Sequence, residues 1–326
     1  MKVCVSGGAG YIGSHCVREL ERAGHDPLVI DNLSKGHKAA VKKSPLYTGD
    51  IRDPDFLRKV FTESRPDAVI HFAADSLVGE SMENPLKYYR NNVYTSLCLL
   101  ESMLEFDIKY IVFSSTAATY GDPYQIPIRE NDPTIPKNPY GETKLAIEKM
   151  LSWCKVYNIT YTVLRYFNAA GADQNSDIGE DHSPETHLIP IVLQTALGKR
   201  EKIMIYGDDY KTPDGTCIRD YIHVSDLSTA HILALQKMQA DGVSNTYNLG
   251  TSSGLSVREI IKTAEKVTGK TIPYAVAPRR SGDPAELIAE SSRARSELNW
   301  KPRYENVESI ISSAWKWHKN NPDGYK

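Results

Sequence analysis

Tyr140 and Lys144 stand four residues apart in the run Tyr140-Gly141-Glu142-Thr143-Lys144, which follows Asn138-Pro139. On a helix that spacing puts the phenol and the amine on one face, one turn apart. A free phenol is a poor base near neutral pH, because its reference pKa is about 10. A neighbouring ammonium lowers that value, so the pair can supply a base near pH 7. Alone the pattern is common, and an exposed tyrosine and lysine on a helix satisfy it equally well. Ser114-Ser115-Thr116 adds weight, since it ends the apolar run Tyr110–Phe113. Ligands bind at the carboxyl ends of strands in parallel sheets, and a hydroxyl there can hydrogen-bond a reacting alcohol or ketone oxygen.

A second constellation lies near the first residue. Gly7-Gly8-Ala9-Gly10-Tyr11-Ile12-Gly13 has the spacing G-x-x-G-x-x-G, after an apolar run and before a helical stretch. Such glycines allow a tight turn and let the backbone approach a pyrophosphate. The helix that follows offers its N–H groups and positive dipole end to the phosphates. Asp31 ends the second apolar run, 18 residues after Gly13. A carboxylate there accepts bonds from the adenosine ribose and repels a 2′-phosphate, which favours NAD over NADP. Asp50-Ile51, after a third run, either flanks the adenine or is an ordinary turn before a helix; the residues leave both open.

These groups need a scaffold of alternating elements. Short apolar runs at Lys2–Ser6, Asp26–Asp31, Asp67–Phe72, Tyr110–Ser114 and Thr160–Tyr166 read as buried parallel strands. Helical stretches lie between them at Tyr11–Ala23, Asp53–Ser64, Pro85–Phe106 and Tyr140–Tyr157. The alternation predicts an α/β fold with a Rossmann-type doubly wound parallel sheet. Past Asn168 the texture changes, with turn-rich segments at Gly171–Thr186 and Asp208–Thr216. Tyr247–Gly250 reads as a strand returning to the main sheet, and Ser256–Thr268 and Ser309–Asn320 as late helices. Residues 1–168 are thus expected to form the NAD-binding domain, with a returning segment at about 218–250. Residues 169–326 are expected to form mainly a smaller substrate-binding α/β domain, packed tightly around a cleft.

Composition narrows the function classes. The chain has 326 residues, 39 Lys+Arg against 41 Asp+Glu, and a formal net charge of −2. That balance carries no electrostatic footprint for nucleic acid or an anionic membrane, so neither is expected as a partner. No apolar run approaches the roughly 18 residues of a transmembrane helix. The first residues read directly as a strand, so no signal peptide is expected. Five scattered cysteines with no CxxC pair point to a reducing cytoplasm, and away from a disulfide scaffold or a zinc site. No metal is expected, and the nine histidines read mostly as surface or core residues.

The glycine loop, the Ser-Ser-Thr strand end and Tyr140-x-x-x-Lys144 together resemble the extended short-chain dehydrogenases/reductases. Over nearly its full length the chain is similar to the UDP-glucose 4-epimerases among them. The resemblance is carried by Gly10–His15, Asp31-Asn32-Leu33, Gly49–Arg52, His71-Phe72-Ala73, Val78–Ser81 and Leu164–Asn168. In the second half it is carried by Gly215-Thr216, Arg219–His223, Tyr247–Gly250 and Ala277–Arg280.

The resemblance implies that Tyr140 deprotonates the sugar 4-hydroxyl while hydride passes from C4 to NAD⁺. Thr116 would hydrogen-bond that oxygen, and Lys144 would hold the nicotinamide ribose. The 4-keto sugar then turns, hydride returns to its other face, and NAD stays bound. Cofactor contacts are implied for Gly7, Gly10, Tyr11, Ile12, Gly13, Asp31, Asn32, Asp50, Ile51, Phe72, Ala73, Ala74, Asn91, Ser114, Tyr140, Lys144 and Tyr166. Substrate contacts are implied for Thr116, Tyr140, Asn168, His187, Leu188, Tyr206, Arg219, Arg280, Asp283 and Leu287. A homodimer is implied through Pro85–Phe106 and Tyr140–Tyr157. Ser76 takes the place of a lysine found in many relatives, and His187 that of an Asn found in some. Leu287 stands where some relatives carry a bulky Tyr, which implies room for an N-acetyl sugar. Ala117-Ala118 replaces the acidic pair of nucleotide-sugar 4,6-dehydratases. A UDP-glucuronate decarboxylase, a UDP-pentose 4-epimerase and a non-catalytic NAD-binding regulator are the rival readings.

Overall fold

The computed structural model describes residues 1–280 and 283–326. Six strands come from the first half: β1 (Lys2–Ser6), β2 (Asp26–Asp31), β3 (Leu46–Thr48), β4 (Ala68–His71), β5 (Tyr110–Thr116) and β6 (Thr160–Tyr166). Seven short ones follow: β7 (Asn168–Ala170), β8 (Ile203–Tyr206), β9 (Ile218–His223), β10 (Asn245–Leu249), β11 (Gly254–Ser256), β12 (Tyr274–Ala277) and β13 (Glu286–Leu287). The main sheet has seven parallel strands in the order β10-β6-β5-β4-β1-β2-β3. Its order reverses beside β1, so the carboxyl ends of β1 and β4 open a crevice there. The returning strand at the β10 edge falls where the sequence places it.

Helices α1 (Tyr11–Arg22), α2 (Pro54–Ser64), α3 (Val78–Glu83), α4 (Pro85–Tyr88), α5 (Thr95–Glu105) and α6 (Pro139–Trp153) connect the early strands. The expected helix Pro85–Phe106 is interrupted, because Tyr89–Tyr94 forms a π-helical turn between α4 and α5. The end of the expected Tyr140–Tyr157 helix tightens into a 3₁₀ turn at Cys154–Tyr157. Later come α7 (Leu188–Ala196), α8 (Val224–Asp241), α9 (Val257–Thr268), α10 (Ser292–Glu297) and α11 (Val307–Asn320). Among the described residues no helix is long and apolar enough to cross a membrane.

Three main clusters of apolar side chains hold these layers. One face of the main sheet packs Val3, Val5, Ile70 and Val112 against Cys16 and Leu20 of α1 and Leu227 and Leu235 of α8. The other face packs Cys4, Ile30, Val69 and Phe113 against Leu57 and Phe61 of α2, Leu99 and Met103 of α5, and Ile147 and Leu151 of α6. The third cluster gathers Ile189 and Leu193 of α7, Ile260 of α9 and Ile310 of α11 around Ile203 and Tyr221. The first cluster also takes in Ala294, Leu298 and Trp300. A segment beyond residue 290 therefore packs on the nucleotide side, although only 218–250 was expected to return. Trp300 is fixed there by its indole N–H, which donates to Asp226 O at 2.9 Å.

Candidate active site

Helix α6 begins with Asn138 as its cap, accepting from Gly141 N at 2.8 Å, and with Pro139 in its first turn. Gly141 lets this first turn lie against the bend after β5: a Cβ there would meet Ala118 O at 2.5 Å. The close approach brings Tyr140 beside Thr116. Thr116, 9% exposed, accepts from Ala118 N at 3.1 Å, which leaves its own hydroxyl proton free to donate. Burial raises the pKa of Tyr140, and the neighbouring Thr116 hydroxyl works in the opposite direction.

Lys144, one turn on and 4% exposed, donates from Nζ to Ser114 O at 2.8 Å. Burial brings its pKa down to about 7, while Glu148 opposes the fall. Ser114 Oγ and Tyr166 Oη share a 2.7 Å hydrogen bond. Burial raises the pKa of Tyr166, and the proximity of Tyr140 adds to it. Tyr140, Lys144, Thr116, Ser114 and Tyr166 thus converge at the carboxyl ends of β5 and β6.

Sequence reasoning passed over the residues that brace this centre. Glu148, two turns after Tyr140, forms a buried ion pair with Arg165 of β6 at 2.5 Å and accepts from Ser115 Oγ at 2.5 Å. Arg165 also donates to Tyr120 Oη at 2.9 Å, and Tyr120 donates to Asn248 Oδ1 at 2.6 Å. Asn92 donates to Thr143 Oγ1 at 3.0 Å, clamping α6 from the side. His71 sits between Ser6 Oγ at 2.6 Å and Ser96 Oγ at 2.9 Å. Burial, with help from the Lys144 charge, drives its pKa down to about 3, so it remains neutral. The signal for Glu148 was its continuation of the Tyr140/Lys144 face at another four residues.

The dinucleotide loop has the features an anion needs. Helix α1 starts at Gly10 with no side-chain cap and no acid in its first turn, so its N–H groups suit a phosphate. Gly13 must be glycine, because a Cβ would fall 2.2 Å from Gly7 O. Asp31, at the carboxyl end of β2, accepts from Ala9 N at 3.0 Å and Leu33 N at 2.8 Å. These bonds aim a buried carboxylate across the loop, and burial raises its pKa. Asn32 turns to its own neighbour, accepting from Ser34 N at 3.0 Å. Tyr11 donates to Gly171 O at 2.7 Å. A loop of this kind, with a carboxylate that keeps lone pairs beyond its two backbone bonds, fits an adenine dinucleotide.

Other expected cofactor residues line the adjacent strand ends. Phe72 and Ala73 both donate backbone N–H to Ser6 O, at 2.9 and 3.1 Å, and Ala74 follows them. Asn91 accepts from Arg52 at 3.0 Å and donates to Asp75 at 2.8 Å. Asp50 pairs with Arg52 at 2.5 Å, which holds its carboxyl below the usual range. Ile51 is buried in the core on that face of the sheet. Ser76 brings no amine; nearby, Lys87 is engaged by Glu80 at 2.6 Å and Asp75 at 3.7 Å.

Expected substrate residues lie on β7, β8, β9, β13 and the start of α7. Arg219 of β9 pairs with Asp283 at 3.0 Å, and the Arg280 guanidinium lies 4.0 Å from the centre of the Tyr206 ring. Asn168 opens β7, which pairs with β9. Leu287 faces Arg219 in register and packs with Ala117, Tyr120, Ile128 and Phe167 next to Thr116. Leu188 opens α7 after His187. The His187 imidazole turns to Glu180 at 2.9 Å and Glu185 at 3.3 Å, partners that sequence did not anticipate.

The family model for the NAD dependent epimerase/dehydratase family matches residues 3–250. The chain belongs to that family. A UDP-glucose 4-epimerase of Halalkalibacterium halodurans is 59% identical over 326 residues, covering 100% of this chain and 98% of the relative. A solved UDP-glucose 4-epimerase structure superposes with a TM-score of 0.98 at 57% identity, covering 100% of both chains. The Bifidobacterium longum UDP-glucose 4-epimerase, solved with NAD⁺ and UDP, reaches 0.95 at 41% identity, covering 99% of this chain and 100% of that one. The fold and the enzyme class of this family member follow from these matches, and its cofactor is NAD.

Proposed function

We propose that this family member interconverts UDP-glucose and UDP-galactose by 4-epimerisation through a transient 4-keto sugar. The observation that carries this reading is the convergence of Tyr140, Thr116 and Lys144 beside an uncapped glycine-loop helix, in a chain similar end to end to UDP-glucose 4-epimerases. When bound, NAD supplies the hydride acceptor and donor for C4. Tyr140 removes the proton from the sugar 4-hydroxyl and later returns it. Thr116 donates its free hydroxyl proton to the same oxygen and steadies the charge that develops there. Lys144, as ammonium, keeps the phenolate accessible near neutral pH and keeps two N–H groups for the cofactor ribose.

Arg219, Arg280, Tyr206 and Asn168 suit the uridine diphosphate, with the guanidinium groups offered to the phosphates. Binding energy spent on that remote half holds the intermediate while its reacting end turns. Ala117-Ala118 leaves no acid at the position a 4,6-dehydratase uses, which favours epimerisation over elimination. Leu287 beside the Thr116 bend favours a second substrate class, the UDP-N-acetylhexosamines.

A homodimer fits the surface, and the free cysteines Cys4, Cys16, Cys98, Cys154 and Cys217 suit a cytoplasmic compartment. Leu86, Tyr89, Tyr94, Leu97, Trp153, Val156 and Tyr157 are exposed along the Pro85–Phe106 and Tyr140–Tyr157 segments. Incubation of the purified protein with UDP-galactose, without added NAD, tests the reading. UDP-glucose should accumulate to equilibrium. No conversion, or a requirement for stoichiometric added NAD, overturns it.

A further inference from the structure

Between β7 and α7 lies a cluster of which only His187 was expected to meet substrate, and its imidazole is taken up by two carboxylates instead. Glu180, His182, Glu185 and His187 each offer a ligand atom, and the four atoms lie within 4.8 Å of one another. Glu180 is 4% exposed and Glu185 8%. His182 Nδ1 stands 3.3 Å from Glu180 and 3.6 Å from Glu185; His187 Nδ1 stands 2.9 and 3.3 Å from the same two carboxylates. Yet Glu180 Oε1, His182 Nδ1 and His187 Nδ1 make no hydrogen bond. Buried polar atoms are normally paired, and three that crowd together out of hydrogen-bond geometry suit a shared partner.

We propose that Glu180, His182, Glu185 and His187 form a closed structural site for one Zn²⁺ ion or a chemically similar divalent transition metal. Two imidazoles and two carboxylates are ordinary zinc ligands, with bonds of about 2.0–2.2 Å. A tetrahedron with such bonds has edges of roughly 3.3–3.6 Å. The imidazole–carboxylate separations, taken to Glu185 Oε2 from His182 and to Oε1 from His187, span 2.9–3.6 Å, and with all four ligand atoms inside 4.8 Å a modest contraction brings them to those edges. Two buried carboxylates beside neutral imidazoles carry two negative charges, which one divalent cation cancels.

The ligands are also oriented from outside. Glu185 Oε1 accepts from Thr186 N at 2.7 Å and His187 N at 2.8 Å, which fixes the carboxylate plane. With four protein ligands no position stays open for substrate, so the ion has no part in the chemistry. Its work is mechanical. Tyr11 of the dinucleotide loop packs edge-on to His182, with ring centres 6.1 Å apart, and His187 caps α7 ahead of Leu188. The ion joins the segment bearing Leu188 to the helix that the dinucleotide loop opens. The expectation of no metal came from the scattered cysteines and from reading the histidines as surface or core residues, and this site has no cysteine and two of those histidines.

The competing state has both imidazoles protonated. Burial opposes those charges, but the carboxylates outweigh it and raise His182 to about 9 and His187 to about 10. Untagged protein separates the two states. It is analysed for metal as purified, stripped with a chelator, and titrated with Co²⁺ and then Zn²⁺. The site predicts about one metal per chain, visible d–d bands of tetrahedral cobalt that Zn²⁺ removes, and a melting temperature that falls on stripping and returns with Zn²⁺. It also predicts that His182→Gln abolishes the cobalt bands.

No retained metal together with no cobalt bands overturns the proposal, as do bands that survive in His182→Gln. Should that variant fail to fold, metal content and cobalt spectra of the unaltered chain still decide. None of these readouts uses epimerisation, so their failure leaves the proposed reaction standing.

Discussion

Glu148→Leu removes one half of the buried pair behind Lys144 and leaves Arg165 charged, with both side chains only 8% exposed. Arg165 loses Nε contacts at 3.0 and 3.2 Å and the 2.5 Å Nη2 contact, and Ser115 loses its acceptor. Breaking a buried pair from one side costs about 3–5 kcal/mol. At about 2 °C per kcal/mol for a large chain, the melting temperature should fall by about 6–10 °C. Activity should fall as well, because Glu148 helps keep Lys144 protonated where burial has already brought its pKa down to about 7. The double variant Glu148→Leu/Arg165→Met replaces both charges with apolar groups and should regain most of the stability. It should not regain kcat at neutral pH, since Lys144 still lacks its carboxylate. Calorimetry and steady-state kinetics on the three proteins check this. A single variant that melts within about 2 °C of the parent, or a double variant with full kcat, refutes the reasoning.

Other perturbations read other parts of the site. In Lys144→Met the ammonium that favours the phenolate is gone, while burial still raises Tyr140. The rising limb of the kcat/KM profile should therefore move to higher pH, with activity partly restored by alkali; an unmoved limb counts against the pair. Gly13→Ala forces a methyl to 2.2 Å from Gly7 O, so the purified variant should carry almost no NAD by chromatography of the denatured protein. Normal NAD content would show that the loop has other freedom. Leu287→Tyr should cut turnover of UDP-N-acetylglucosamine at least about tenfold, and of UDP-glucose far less. Equal losses on both substrates would remove Leu287 from specificity.

The nucleotide half was legible because its physics is local. Runs such as Lys2–Ser6 and Thr160–Tyr166 are apolar enough to be buried on both faces, and they are the observed strands to the residue. Caps such as Asn138-Pro139 mark where α6 begins. The π-helical turn at Tyr89–Tyr94 left no such mark, since tertiary contacts around Asn92 hold it rather than any breaker residue. The return of Ala294–Trp300 to the first core was hidden for a similar reason. It depends on a long-range bond to Asp226 that no periodicity announces.

In the candidate site, the Tyr140/Lys144 pair and the Ser114-Ser115-Thr116 strand end could be read from spacing and strand position, and the resemblance alone pointed to Thr116 within that strand end. Glu148 and Arg165 could not be joined, because one lies on a helix and the other on a strand. Glu180, His182, Glu185 and His187 lie close in sequence, but only the folded loop turns their ligand atoms to one point.

The central claim is that the Tyr140 phenol carries the proton of the sugar 4-hydroxyl, and Tyr140→Phe tests it with one oxygen atom removed. The variant is supplied with UDP-galactose and assayed together for UDP-glucose formed and NAD retained. Turnover lower by at least about a hundredfold, with NAD content and UDP affinity unchanged, is the predicted result. Turnover close to that of the parent would contradict the assignment.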